Sequence, residues 1–99
     1  MYRGTTPTLK FTLPFSCDDI TLCSVAFAQD GNVVLEKELH DCNMQGNVIS
    51  VTLTEDDTLA LDCRSHVEIQ LRVGCGETRL ASNIIKVGVG RILKDGCLE

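Results

Sequence analysis

The feature that most restricts how this chain can fold is hydrophobic alternation with a period of two. His66-Val67-Glu68-Ile69-Gln70-Leu71-Arg72-Val73 puts Val67, Ile69, Leu71 and Val73 on one side, and His66, Glu68, Gln70 and Arg72 on the other. Successive side chains of a strand point to opposite faces, so this pattern predicts a strand with one dry face. Thr8 to Leu13 repeats it, with Leu9, Phe11 and Leu13 inward and Pro14 closing the ladder. Val48 to Leu53 repeats it again, with Ile49, Val51 and Leu53 inward. Ile20 to Gln29 differs: Cys23, Val25 and Phe27 share one face, while Leu22, Ser24, Ala26 and Ala28 make the other small rather than polar. A strand with two such faces belongs between neighbours, in the middle of a sheet.

Turn residues mark where the strands stop. Asp30-Gly31-Asn32 supplies the positive φ angles of a tight hairpin and predicts an antiparallel partner over Val33 to Leu39, with Val33, Leu35 and Leu39 on one face. Asp41 to Asn47 reads as a loop ending in the Gly46-Asn47 turn. Gly74-Cys75-Gly76-Glu77 is a second glycine-supported hairpin, followed by a long strand from Thr78 to about Leu93 that breaks near Ser82-Asn83. Gly88 and Gly90 within it predict bulges or close backbone approaches, and Asp95-Gly96 makes a last turn. The one helical signal is Thr54-Glu55-Asp56-Asp57-Thr58-Leu59, with Thr54 as N-cap and Asp57 as the capping-box acid. It is long enough for one or two turns and predicts a crossover near residues 54–60, with Leu59 and Leu61 plugging one end of the core.

Strands separated by hairpins, without helices between them, define an all-β chain. Ninety-nine residues accommodate one domain. The expected fold is a two-sheet immunoglobulin-like sandwich of six to seven mainly antiparallel strands over residues 1–97. Leu98-Glu99 reads as a cloning-site remnant.

Charge and hydropathy narrow the function. Nine basic residues against fourteen acidic give a net charge of −5, the wrong sign for a surface that tracks nucleic-acid phosphates. No apolar run approaches the roughly 20 residues of a membrane span. Met1 to Pro7 has no apolar signal-peptide core, so the chain is expected to be cytoplasmic when synthesised.

The six cysteines, Cys17, Cys23, Cys42, Cys63, Cys75 and Cys97, form no CxxC pair. Structural zinc sites usually take two thiolates from one tight turn, so no metal is expected. Without an oxidising compartment the thiols are expected to be reduced and to act as small apolar residues. Neither His40 nor His66 stands in a nucleophile motif, and His66 lies on a polar strand face. Glu55-Asp56-Asp57 with Asp62 could offer carboxylates to Ca²⁺ but lacks the alternating ligand pattern, and helix capping explains it better. Asp18-Asp19 reads as a turn before a strand. Gly74-Cys75-Gly76 and Gly88-Val89-Gly90-Arg91 lack the strand–turn–helix setting of phosphate loops. No catalytic residues, cofactor or small-molecule ligand are expected, and the chain is not read as an enzyme. The remaining candidate is the polar face Glu68, Gln70 and Arg72, either a solvated sheet surface or part of a contact with a partner or a second copy.

Several segments carry a resemblance. Arg3-Gly4-Thr5-Thr6-Pro7-Thr8, Phe27-Ala28-Gln29-Asp30-Gly31, Leu53 to Leu59, Val67 to Arg72, Ala81-Ser82-Asn83-Ile84-Ile85 and Ile92-Leu93-Lys94-Asp95-Gly96 resemble small prophage-encoded proteins of Gram-positive bacteria. More distantly, the arrangement is similar to the immunoglobulin-like N-terminal domain of phage baseplate upper proteins. The resemblance spans nearly the whole chain and carries no catalytic motif. It implies a non-enzymatic structural or assembly module, a phage tail or baseplate accessory acting through protein–protein contacts or self-association and incorporated into a phage particle. The alternative is a small carbohydrate-binding sandwich module, for which an exposed aromatic platform would be needed; only Tyr2, Phe11, Phe15 and Phe27 are available.

Overall fold

A computed structural model describes residues 1–96 and 98; Cys97 and Glu99 lie outside the described residues. The chain runs β1 (Thr8–Thr12), β2 (Ile20–Gln29), β3 (Asn32–Glu38), β4 (Cys42–Gln45), β5 (Val48–Thr52), α1 (Glu55–Leu59), β6 (Val67–Cys75), β7 (Thr78–Ala81) and β8 (Ile85–Val87), with 3-10 turns at Cys17–Asp19 and Leu39–Asp41. Two antiparallel sheets result. One has the order β1-β5-β4; the other has the order β3-β2-β6-β7, with β8 also paired to β6. The Cα envelope, 45 × 30 × 17 Å, is as thin as two stacked sheets require.

One core lies between them. Val25 and Phe27 of β2 and Val67, Ile69 and Leu71 of β6 meet Ile49 and Val51 of β5, all almost fully buried. These are the residues that alternation places inward. Leu53 and Leu61 flank α1 and close one end of this core. Leu59, expected beside Leu61, is only half-buried.

Local chemistry explains the elements. Asp30 (φ 52) and Gly31 (φ 81) turn β2 into β3, both in the left-handed region, as a two-residue hairpin with the right twist demands. In α1 the Thr54 hydroxyl accepts from the Asp57 amide (3.1 Å), while the Asp57 carboxylate accepts from the Thr54 amide (2.9 Å). This is the capping box read from the sequence, and it carries the chain from the first sheet to the second.

The structure departs from expectation in three places. Among the described residues there are eight strands, not six or seven. The first extra one is β4, at Cys42–Gln45 inside the segment read as a loop. Its partner β5 is reached through the Gly46-Asn47 turn, so a clear hairpin signal was present, but Cys-Asn-Met-Gln has weak strand character. The second departure is a register shift between Phe27 and Ala28. It pairs Phe27 with Leu35 but Ala28 with Val33, so Val34 is the extra residue. Val33 is thereby turned out to solvent, Leu39 enters a 3-10 turn, and Lys37 takes the inward position beside Leu35. The third is the long last strand. It divides into β7, on Arg72–Cys75, and β8, on Val67–Ile69, with the break at Ser82 as expected. There the Leu71 amide donates to the Ser82 hydroxyl (3.0 Å) and the Ser82 amide to the Leu71 carbonyl (2.8 Å), patching the interrupted ladder.

The chain ends are tied to the crossover. Arg3 donates through Nε to the Leu61 carbonyl and through Nη2 to the Leu59 carbonyl, each at 2.8 Å. These groups emerge at the helix C-terminus, where a cation is favoured. Tyr2 forms a parallel bridge to Gly90, and a Cβ at Gly90 would stand 2.4 Å from the Tyr2 ring. Gly90 is therefore the close approach that its place in the sequence predicted.

Candidate interaction surface

The outer face of the five-stranded sheet carries a concavity. Its floor is β2. Pairing places Ser24 between Glu38 of β3 and Arg72 of β6, and Ala26 between Glu36 and Gln70. Small residues along the middle strand with long ones on both flanks make a trough, and toward the Leu22 end it deepens into a groove of about 410 Å³. Alternation along β2 places Leu22 on this outer face, where it is 53% exposed. Gly74 makes room for it: a Cβ there would lie 3.0 Å from the Leu22 Cβ and 3.2 Å from Arg79 Nη1.

The groove is electrically divided. Arg72 and Arg79 form one wall, and Glu36 and Glu38 the other, with His40 beyond. Ser24 Oγ donates to Glu36 Oε1 (3.1 Å), which fixes the acidic wall to the floor. Arg79 Nη1 donates to the Gly76 and Thr78 carbonyls (2.7 and 3.1 Å) and is held at the rim. Among the described residues Arg72 has no ion-pair partner. His40 Nδ1 stands 3.9 Å from Glu38 Oε2 and its Nε2 stands 3.6 Å from Asp41 Oδ1.

Of the polar face read from the sequence, Arg72 lines this groove, whereas Glu68 and Gln70 do not. All three are on the outer side of β6. Gln70 is half-buried and donates to the Ser82 carbonyl (3.0 Å), holding the β7–β8 break; Glu68 pairs across the sheet with Lys86. Sequence reasoning missed Leu22, Glu36, Glu38 and Arg79. The available signal was the outer face of β2, whose exposed Leu22 and small neighbours leave a hollow between two charged strands. No Phe, Tyr or Trp lines the groove.

The other candidates have structural partners. Asp57 accepts from Lys37 Nζ (2.8 Å) as well as from Thr54. Burial alone would push its carboxyl up, but the hydrogen bonds from Lys37 and Thr54 outweigh it and hold the group below the usual carboxylate range. The Arg64 guanidinium and amide hold Asp62 down to about 2. Glu55 accepts from the Leu98 amide (3.1 Å). His66 is exposed, just ahead of β6. Among the described residues no group of three His, Cys, Asp or Glu side chains is placed to hold a metal ion, and no helix is long and apolar enough to cross a membrane.

The five described cysteines are free thiols. Four of them follow one another along one end of the core, in the order Cys42, Cys23, Cys17, Cys75. Burial, with Cys42 and Cys17 alongside, pushes the Cys23 thiol up to about 12. Cys17 and Cys42 are also raised, in each case chiefly by burial. This gathering is invisible in their spacing, because the residues come from both sheets.

Comparison with known proteins gives no match to a family model, to a curated protein or to a solved structure.

Proposed function

We propose that this chain is a non-enzymatic assembly module, a tail or baseplate accessory of a prophage, which works by pairing with a second copy of itself through the outer face of the five-stranded sheet. The observation that carries the pairing is the divided groove, with Arg72 and Arg79 on one side of β2 and Glu36 and Glu38 on the other. A two-fold axis parallel to β2 lays each acidic wall over the partner's basic wall, while Leu22 of each copy covers the other's floor. An axis perpendicular to β2 would set like charges together, so the pattern also selects the orientation. Exposed strand edges are the weaker alternative. β1 lies between Pro7 and Pro14, β4 is short, β3 carries a bulge and charges, and the β7–β8 edge is broken at Ser82; such features blunt an edge.

The immunoglobulin-like class belongs to the same proposal and is supported by strand order. β1-β5-β4 corresponds to strands B-E-D of that fold, and β3-β2-β6-β7 to C′-C-F-G. Phe27, fully buried on β2, occupies the place of the aromatic residue on strand C. The prophage setting rests on the resemblance carried by the six segments from Arg3–Thr8 to Ile92–Gly96. Tail or portal genes beside the coding sequence would support it, and a neighbourhood of unrelated metabolic genes would overturn it. The pairing is tested by light scattering across a concentration series: a dimer that Arg72→Glu dissociates supports it, and a monomer at every concentration overturns it.

A further inference from the structure

We propose that Cys23 and Cys42 are a covalent modification site, a thiol pair that closes to a disulfide and joins the two sheets. Cys23 is on β2 of the five-stranded sheet and Cys42 on β4 of the three-stranded one. Both side chains point into the space between the sheets. Cys23 is 8% exposed in line with Val25 and Phe27, and Cys42 stands opposite Val51, which is buried in the core. Both pack in the same core cluster, and each thiol is a near neighbour of the other. Two inward-facing cysteines from opposite sheets, neighbours in one core cluster, are the starting arrangement from which a disulfide can form.

The exchange needs a low-molecular-weight disulfide such as glutathione disulfide as oxidant. Cys42 is the more exposed of the two and begins it. Its thiolate attacks one sulfur of the small disulfide, forming a mixed disulfide and expelling a small thiolate. The Cys23 thiolate then attacks Cys42 Sγ and expels the second small thiolate. Two protein thiols are oxidised to one disulfide, one small disulfide is reduced to two thiols, and the two protons pass to the leaving thiolates. Burial of Cys23 makes the second step slow, because little of that thiol is ionised at neutral pH.

The bond would close a loop containing β3 and the Leu39–Asp41 turn, the segment in which the chain leaves one sheet for the other. Restricting the unfolded chain over a loop of about 20 residues corresponds to a rise in Tm of about 10 °C or more for a domain this small. The competing link is Cys17 to Cys75, at the adjoining corner of the same cysteine cluster.

The test is oxidation of the folded chain with excess glutathione disulfide, quenching by alkylation, and peptide mapping by mass spectrometry alongside thermal unfolding. The expected result is a Cys23–Cys42 cross-linked peptide and the higher Tm, retained in Cys75→Ser and lost in Cys42→Ser. If Cys42→Ser does not fold, the wild-type peptide map decides alone. A map showing Cys17 joined to Cys75 with Cys23 alkylated, or glutathione adducts with no internal link, overturns the proposal.

Discussion

The Thr58 hydroxyl donates to the Thr5 carbonyl (2.8 Å) and accepts from the Thr5 amide (3.0 Å). One side chain thus satisfies both backbone groups of the residue that leads into β1, and it does so from the interior of α1, where Thr58 is wholly buried. The helix is too short to persist alone. Its position is set by this bond pair on one side and by Arg3 on its C-terminal carbonyls on the other.

Replacing Thr58 by Val keeps the shape and removes the hydroxyl, leaving the amide and carbonyl of Thr5 unpaired. Urea unfolding is expected to show a loss of about 2–4 kcal/mol for Thr58→Val. Thr58→Ser keeps the oxygen and loses a methyl group, so about 1 kcal/mol is expected. Equal losses for the two variants would show that the hydroxyl is not what holds Thr5.

The Lys37–Asp57 pair gives a pH dependence of definite sign. In the folded chain the Asp57 carboxyl titrates below its ordinary value of 3.8. As pH falls, the unfolded chain therefore takes up this proton first. The stability contributed by the ionised group is complete above the ordinary value and is lost as pH drops through the lower, native one. Asp57→Asn is expected to cost about 1–2 kcal/mol at pH 7, with the gap to wild type closing below about pH 4. A gap that stays constant from pH 7 to pH 2 would mean that the carboxylate charge contributes nothing.

Gly4 and Gly88 separate backbone need from mere tolerance. Gly4 has φ +71, and a Cβ there would lie 2.8 Å from Ile92 Cδ1, whereas Gly88 has open space around it. Gly4→Ala is expected to destabilise by about 1–3 kcal/mol, and Gly88→Ala to change stability by no more than about 0.5 kcal/mol. Thermal unfolding of the two variants side by side checks this, and similar midpoints would contradict it.

How much of this was legible in the sequence follows from the range over which each signal acts. The inward rows Val67-Ile69-Leu71-Val73 and Ile49-Val51-Leu53, the Asp30-Gly31 turn and the Thr54–Asp57 capping box are all written within a few residues, and the structure reproduces them. β4 escaped because its residues have little intrinsic strand preference and owe their conformation to pairing with β5. The displaced Val33 escaped because a single-residue bulge inverts every position beyond it. The groove and the cysteine cluster escaped for a different reason. Arg72 and Glu38 meet across Ser24, and Cys23 meets Cys42, only once strands distant in sequence are side by side. Arg3 and Asp95, 2.6 Å apart and from opposite ends of the chain, show the same limit.

The central claim is that the divided groove binds its own copy, and light scattering on a charge-swapped pair tests it most directly. Mixing Arg72→Glu with Glu38→Arg places complementary walls on different molecules. The account predicts that wild type is a dimer, that each variant alone is chiefly monomeric, and that the mixture regains dimer mass. A wild type that remains monomeric up to millimolar concentration, or variants as dimeric as wild type, would contradict it.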